Sequence, residues 1–235
     1  MELFNQPSSD GFVDVIPNLF PRLETVELSA LNKVVDMAEV KDSLFSIGGL
    51  KAPRMDGFPA CFYQNQWGQC AFDIFGMVVQ VFTDCHVPNK LNSTLITLVP
   101  IVVSPQSPIL PKLISHSQVR FVPGRHITGN ILLAQELMHK YKIVKGKKCF
   151  VAWKIDMSKA YDRLSWKFTK YVLVELGLPK ATIQLIMHCV SSMSYQICVN
   201  GELTEPFQPR NGIRQGDPLS PYLFVLCGKT FLYYF

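Results

Sequence analysis

The stretch from Tyr195 to Phe207, YQICVNGELTEPF, holds two β-prone runs that meet at Asn200-Gly201. An Asn-Gly pair is the preferred centre of a two-residue type I′ turn, because both central residues must take positive φ. The sequence therefore predicts an antiparallel hairpin, Tyr195 to Val199 against Glu202 to Phe207. A sheet is thus present, and the rest of the chain must cover it.

A second strand is expected upstream. Cys149 to Arg163 reads CFVAWKIDMSKAYDR. Cys149, Val151, Trp153 and Ile155 alternate with Phe150, Ala152, Lys154 and Asp156, the period of two that puts each set on its own face of a strand, and the first set makes one apolar face. Lys154 and Asp156 lie on the other face, where the strand runs out. A carboxylate there, with a lysine two residues before it, could hold a divalent metal beside a phosphate. It could equally cap a turn.

Helix signals surround these strands. Ser165 and Gly177 bracket Trp166 to Leu176, and Pro179 opens Lys180 to Ser191. Ser220-Pro221 starts a last helix after a glycine-bearing loop, Pro209 to Asp217. Asp36 and Glu39 have capping-box spacing, with Val40, Leu44 and Ile47 on one face and Gly48-Gly49 as the stop. Cys61 to Thr83 reads as one helix with Phe72, Phe75, Val79 and Phe82 inward. Thr94 to Val99 reads as a strand, and Thr128 to Lys140 as a helix behind the loop Phe121 to Arg125. Lys51 to Gly57 reads as a turn, and Ser104 to Pro111 as an irregular loop. Strands interleaved with helices give an α+β fold, an antiparallel sheet covered by helices on one face.

Composition bounds the function. The 235 residues are 48% hydrophobic, enough for one sizeable domain or two small ones. No apolar run approaches the roughly 20 residues of a membrane helix, and MELFNQPSSDG lacks the plan of a signal peptide. The seven cysteines are scattered and show no C-x-x-C pairing, which points to reduced thiols in an intracellular, non-secreted protein. Net charge is +5, which permits a polyanionic partner without demanding one. Lys140, Lys142, Lys145, Lys147, Lys148 and Lys154 crowd the approach to Asp156, either as a solvated loop or as a phosphate-facing surface.

Taken together, DMSKAYDR and GIRQGDPLSPYLF resemble the reverse transcriptase domain of plant non-LTR retrotransposons, the long interspersed element type. KAPRMDGFPACFYQNQW, LNSTLITLVP and FVPGRHITGNILLAQEL are similar to three further blocks of that family, in the same order. The resemblance implies a partial polymerase fingers–palm fold without a thumb. Residues 1–21 would be an irregular lead-in, 22–120 a partial fingers region and 121–235 a partial palm. The chain also departs from the family pattern. Arg54 and Met55 stand where the family usually has Gly and Pro, and Ile101 where a lysine is common. A fingers segment expected near 108–109 is missing, and no two aspartates are adjacent anywhere. The family's second metal-binding block is an Asp-Asp pair, so the expectation is a truncated domain without catalytic activity.

The resemblance also implies roles. Asp156 matches the first ligand of catalytic Mg2+ or Mn2+. Tyr161 falls at the steric-gate position against a ribose 2′-hydroxyl, or else packs in the core. Gln215 and Gly216 match the loop that approaches the incoming nucleotide, and Arg214 a phosphate or template contact. Asp162 reads as a cap or a partner for Arg163, and Asp217 as turn chemistry. Arg125 could meet template backbone or sit in a solvated loop; Lys145, Lys147 and Lys148 are the candidate nucleic-acid contacts. The implied partners are an RNA template, a DNA primer and deoxynucleoside triphosphates, with no membrane. The other readings are a non-catalytic nucleic-acid-binding remnant and an unstable pseudogene product.

Overall fold

In the computed structural model, residues 20–49, 57–89, 91–96, 118–119, 125–143, 155–199 and 202–232 are described. Their elements run α1 (Thr25–Leu31), α2 (Met37–Ser46), α3 (Ala60–Asn65), α4 (Trp67–Asp84) and β1 (Ser93–Ile96). Then come α5 (Thr128–Ile143), α6 (Ala160–Arg163), α7 (Trp166–Glu175), α8 (Lys180–Ser191), β2 (Ser194–Val199), β3 (Glu202–Leu203) and α9 (Ser220–Leu232).

The expected capping box forms. The Glu39 amide donates to Asp36 Oδ1 at 2.9 Å and the Asp36 amide to Glu39 Oε2 at 3.1 Å. Such a cap is worth about 1 kcal/mol. The same device starts α1, where Glu24 donates to Glu27 Oε2 at 2.9 Å. The sequence reading placed no helix there. The long helix expected from Cys61 is broken at Gln66 into α3 and α4, and α4 ends on Cys85 in the left-handed region at φ 49°. Its aromatic stripe is not inward as expected. Phe72 is 80% and Phe82 52% exposed, while Phe75 and Val79 are half-buried. Among the described residues α4 packs on α2 and α3, and these leave its outer side open.

The core lies where α7, α8 and α9 meet the sheet. Val172, Leu173 and Leu176 point from α7 toward Ile183 and Val190 of α8 and Leu223 and Leu226 of α9. Gly177 takes φ +71° and its amide donates to Val174 O at 2.9 Å, ending α7 as the sequence implied. Pro179 then sets the entry to α8. Thr169 is fully buried among them and donates to Ser165 O at 2.9 Å.

The described sheet is mixed, order β1-β2-β3, and not the purely antiparallel sheet expected. β1 pairs with β2 in parallel from Ser93↔Ser194 to Ile96↔Ile197. Parallel neighbours need a long crossover, and here the chain from β1 to β2 includes α5 to α8. The hairpin has the register expected of it, Val199↔Glu202 and Cys198↔Leu203, which leaves a two-residue loop. Its second strand is cut short. Thr204 Oγ1 takes the Ile197 amide at 3.0 Å, and pairing resumes at Tyr195↔Phe207, one residue out of step. The extra residue makes a bulge beside Pro206, which has no amide proton to give.

Several expectations fall on residues outside those described: the turn at Lys51 to Asp56, the loop at Ser104 to Pro111, Phe121 to Gly124, and the strand from Cys149 to Lys154. Ile155 to Met157 are described and belong to no strand.

Candidate functional site

The two motifs dock on each other through their backbones. The Ile213 amide donates to Tyr161 O at 2.9 Å, and the Gly212 amide to Leu164 O at 2.8 Å. The Trp166 indole donates to Gly212 O at 2.7 Å. Gly212 has φ +90°, and a Cβ on it would lie 2.8 Å from Asp162 O and 2.9 Å from Tyr161 O. Only glycine fits that approach. The loop after Asn211 is thereby seated on the turn and short helix that follow Asp156.

Asp156 is exposed at the start of that turn, and the turn ends on Lys159 in the left-handed region at φ 52°. A lysine held there costs about 1 kcal/mol or more, so the turn before α6 is shaped by its surroundings. The Asp162 and Arg163 amides both return to Lys159 O, at 3.0 and 3.1 Å. The Tyr161 ring stacks on Phe224 at 5.0 Å and 25°, packed against the core.

Gln215 and Gly216 are exposed at the loop tip, and Gly216 takes φ +81° with open space where a Cβ would stand. Arg214, beside them, points inward. It is 7% exposed, and its Nη2 donates to Asn92 O at 2.8 Å and Asn92 Oδ1 at 2.6 Å. Its Nη1 lies 4.0 Å from Asp217 Oδ2, and its Nε is buried without a hydrogen-bond partner among the described residues. Asp217 does the turn chemistry expected of it: Oδ1 accepts the Leu219 amide at 2.8 Å. Burial pushes the Tyr195 hydroxyl above its ordinary pKa, against the pull of the nearby Arg214 charge.

Arg125 donates from Nη1 to Gln118 O at 2.8 Å and is half-buried. Lys145, Lys147 and Lys148 lie outside the described residues; Lys140 and Lys142 stand exposed in the last turn of α5. Among the described residues no three His, Cys, Asp or Glu side chains group closely enough to hold a metal ion. Asn92 and Trp166, which hold the loop from two sides, were not singled out by the sequence. Their partners lie 122 and 46 residues away, and no local pattern marks such distant contacts.

Residues 88–233 match the family model described as reverse transcriptase (RNA-dependent DNA polymerase). Over 249 aligned residues, covering 95% of the chain, it is 24% identical to the transposon TX1 uncharacterized 149 kDa protein of Xenopus laevis. It is 34% identical over 90 residues, 38% of the chain, to a retrovirus-related Pol polyprotein from the type-2 retrotransposable element R2DM of Drosophila melanogaster. The chain spans 18% of the first protein and 8% of the second. A 45-residue stretch is 48% identical to an uncharacterized mitochondrial protein of Arabidopsis thaliana, covering 16% of this chain and 37% of that protein.

Proposed function

The chain belongs to the reverse transcriptase (RNA-dependent DNA polymerase) family, and from that premise we propose that it is a fingers and partial palm region of a plant non-LTR retrotransposon polymerase. The observation that carries this is the family match over 88–233. It is supported by the backbone docking of the Tyr161 turn on the Gly212–Ile213 segment, which brings the matching motifs into one place. In this reading the partners are an RNA template, a DNA primer and deoxynucleoside triphosphates, in an intracellular setting. Gln215 and Gly216, exposed on a glycine turn, face the incoming nucleotide. Tyr161 limits the space beside its sugar, with Phe224 behind the ring to hold it. Lys145, Lys147 and Lys148 meet phosphates, and Arg125 the template side.

The family's Mg2+ or Mn2+ ions would activate the primer hydroxyl and offset the triphosphate charge. Two such ions, about 4 Å apart, need several carboxylate oxygens. Asp156 supplies one carboxylate, and no Asp-Asp pair occurs in the sequence. Asp156 alone therefore does not make a two-ion site, and we expect these 235 residues on their own to extend a primer no faster than background. Losing one transition-state stabiliser already costs on the order of 3 kcal/mol.

The test is primer extension on an RNA template with magnesium or manganese, for the chain and for Asp156→Ala. Both should read background. Extension that disappears in Asp156→Ala would show that another carboxylate completes the site. A labelled RNA–DNA hybrid should still bind and weaken steeply with salt; no binding at low salt would remove the nucleic-acid reading altogether.

A further inference from the structure

The loop that carries Gln215 and Gly216 is gripped by a residue from the other half of the chain. Asn92 is 6% exposed and closes a turn, its amide reaching Pro88 O at 3.3 Å and Asn89 O at 3.2 Å. Its side-chain Nδ2 donates to Cys189 O at 2.9 Å and Ser192 Oγ at 2.8 Å, which fixes it to the end of α8. Its two oxygens both face Arg214 Nη2, at 2.8 and 2.6 Å. Every polar group of Asn92 is therefore used, and each ties it to something distant or to its own turn.

We propose that Asn92 is a positioning residue for the Gln215–Gly216 loop, acting through Arg214. This rests on the reading of that loop as the nucleotide-facing one. Arg214 is buried with its Nη2 on the neutral Asn92 and its nearest carboxylate, Asp217, only at 4.0 Å from Nη1, so the desolvation of its charge is offset poorly by stability alone. What the contact does supply is position. The loop is seated upstream by Gly212 and Ile213 on α6, and downstream by the turn at Asp217. Between those anchors Arg214 is the side chain that points in, so it sets how far Gln215 and Gly216 stand out. Arg214 thus holds the loop from behind, and its role in nucleic-acid contact passes to the residues it presents.

Amide hydrogen exchange on the full chain, without nucleic acid, tests this. In Arg214→Met, exchange at Gly212, Ile213 and Leu219 should rise tenfold or more, while Leu173 and Leu176 in α7 stay unchanged. Arg214→Lys keeps one charged hydrogen bond to Asn92 and should restore part of the protection. Should Arg214→Met not fold, Asn92→Ser gives the same readout through loss of Oδ1. The proposal is overturned if the loop amides do not change in a folded Arg214→Met or Asn92→Ser. It is also overturned if they rise only in step with Leu173 and Leu176. Because no nucleic acid is present, such a result counts against the Asn92 contact alone. Failure of an RNA–DNA hybrid to slow exchange at Gly216 counts against the nucleotide-facing reading instead.

Discussion

The Trp166 indole donates its proton to the carbonyl of Gly212 over 2.7 Å. Trp166 is the first residue of α7, whose inner face is the centre of the core. Gly212 belongs to the loop that presents Gln215 and Gly216. The packing of the core and the placement of the candidate site therefore share one hydrogen bond, and a change at Gly212 is felt by both.

Two glycines with positive φ separate conformational strain from collision. Gly177→Ala meets nothing within 4 Å, so only the φ of +71° is at issue. Its cost should be about 1 kcal/mol. Gly212→Ala adds a Cβ within 3 Å of two backbone oxygens, at φ +90°. Those atoms cannot rotate away, and the cost should be about 2 to 4 kcal/mol. Urea unfolding of the two variants checks the order. Equal midpoints would show that the loop slides off α6 at little cost.

What could be read in advance followed local chemistry. The Pro179 start, the Gly177 stop and the Asp36 cap each act within a few residues, and each appears where it is expected, as does the pairing of Val199 with Glu202. The parallel pairing of β1 with β2 was not legible, because strand direction depends on a crossover rather than on side-chain alternation. The sequence offers Arg214 as a phosphate or template contact, with nothing local to mark it as buried. Its burial follows from Asn92, whose sequence surroundings mark only a turn. The three- and four-residue spacing of Phe72, Phe75, Val79 and Phe82 signals a helix, and one forms, but a period says nothing about whether a neighbour exists to cover the stripe.

Phe72 tests that last point. At 80% exposure its ring removes little surface from water. Phe72→Ser should change stability by no more than about 0.5 kcal/mol and should reduce self-association in light scattering, since exposed aromatic surface is sticky. A loss above about 3 kcal/mol, typical of a buried phenylalanine, would mean that the stripe is covered in solution.

Cys227 should be inert while the chain is folded. Burial pushes its thiol up to about 12, the Thr169 hydroxyl beside it notwithstanding. The thiolate is the reactive form, and at neutral pH almost none is present. Cys61, Cys70, Cys85 and Cys198 are half-buried and open to attack. Iodoacetamide labelling read by peptide mass should modify these first and Cys227 only on addition of denaturant. Early labelling of Cys227 would show that α9 opens at its core face.

The turn that leads to Asn92 should weaken in mild acid. The Val87 amide donates to His188 Nδ1 at 3.2 Å, which requires that nitrogen to be unprotonated. Burial lowers the His188 pKa below its ordinary 6.5, and the neighbouring His86 ring, 4.3 Å away, adds to the effect. The unfolded chain therefore binds a proton at a higher pH than the folded chain does. Stability from this group is complete above about 6.5 and is lost as pH falls through the lower folded value. Asp36 and Glu39 have folded pKa values lowered by Lys33 and by cap hydrogen bonds, so their contribution persists until pH drops below the carboxylate range. The window from about pH 7 to 5 thus excludes these carboxylates, and a substitution at His188 separates it from the chain's other four histidines. Urea midpoints measured across it should fall for the unmodified chain. In His188→Asn, the amide oxygen can take the Val87 proton without titrating, and the slope should flatten. Parallel slopes for the two proteins would show that His188 is not the group responsible.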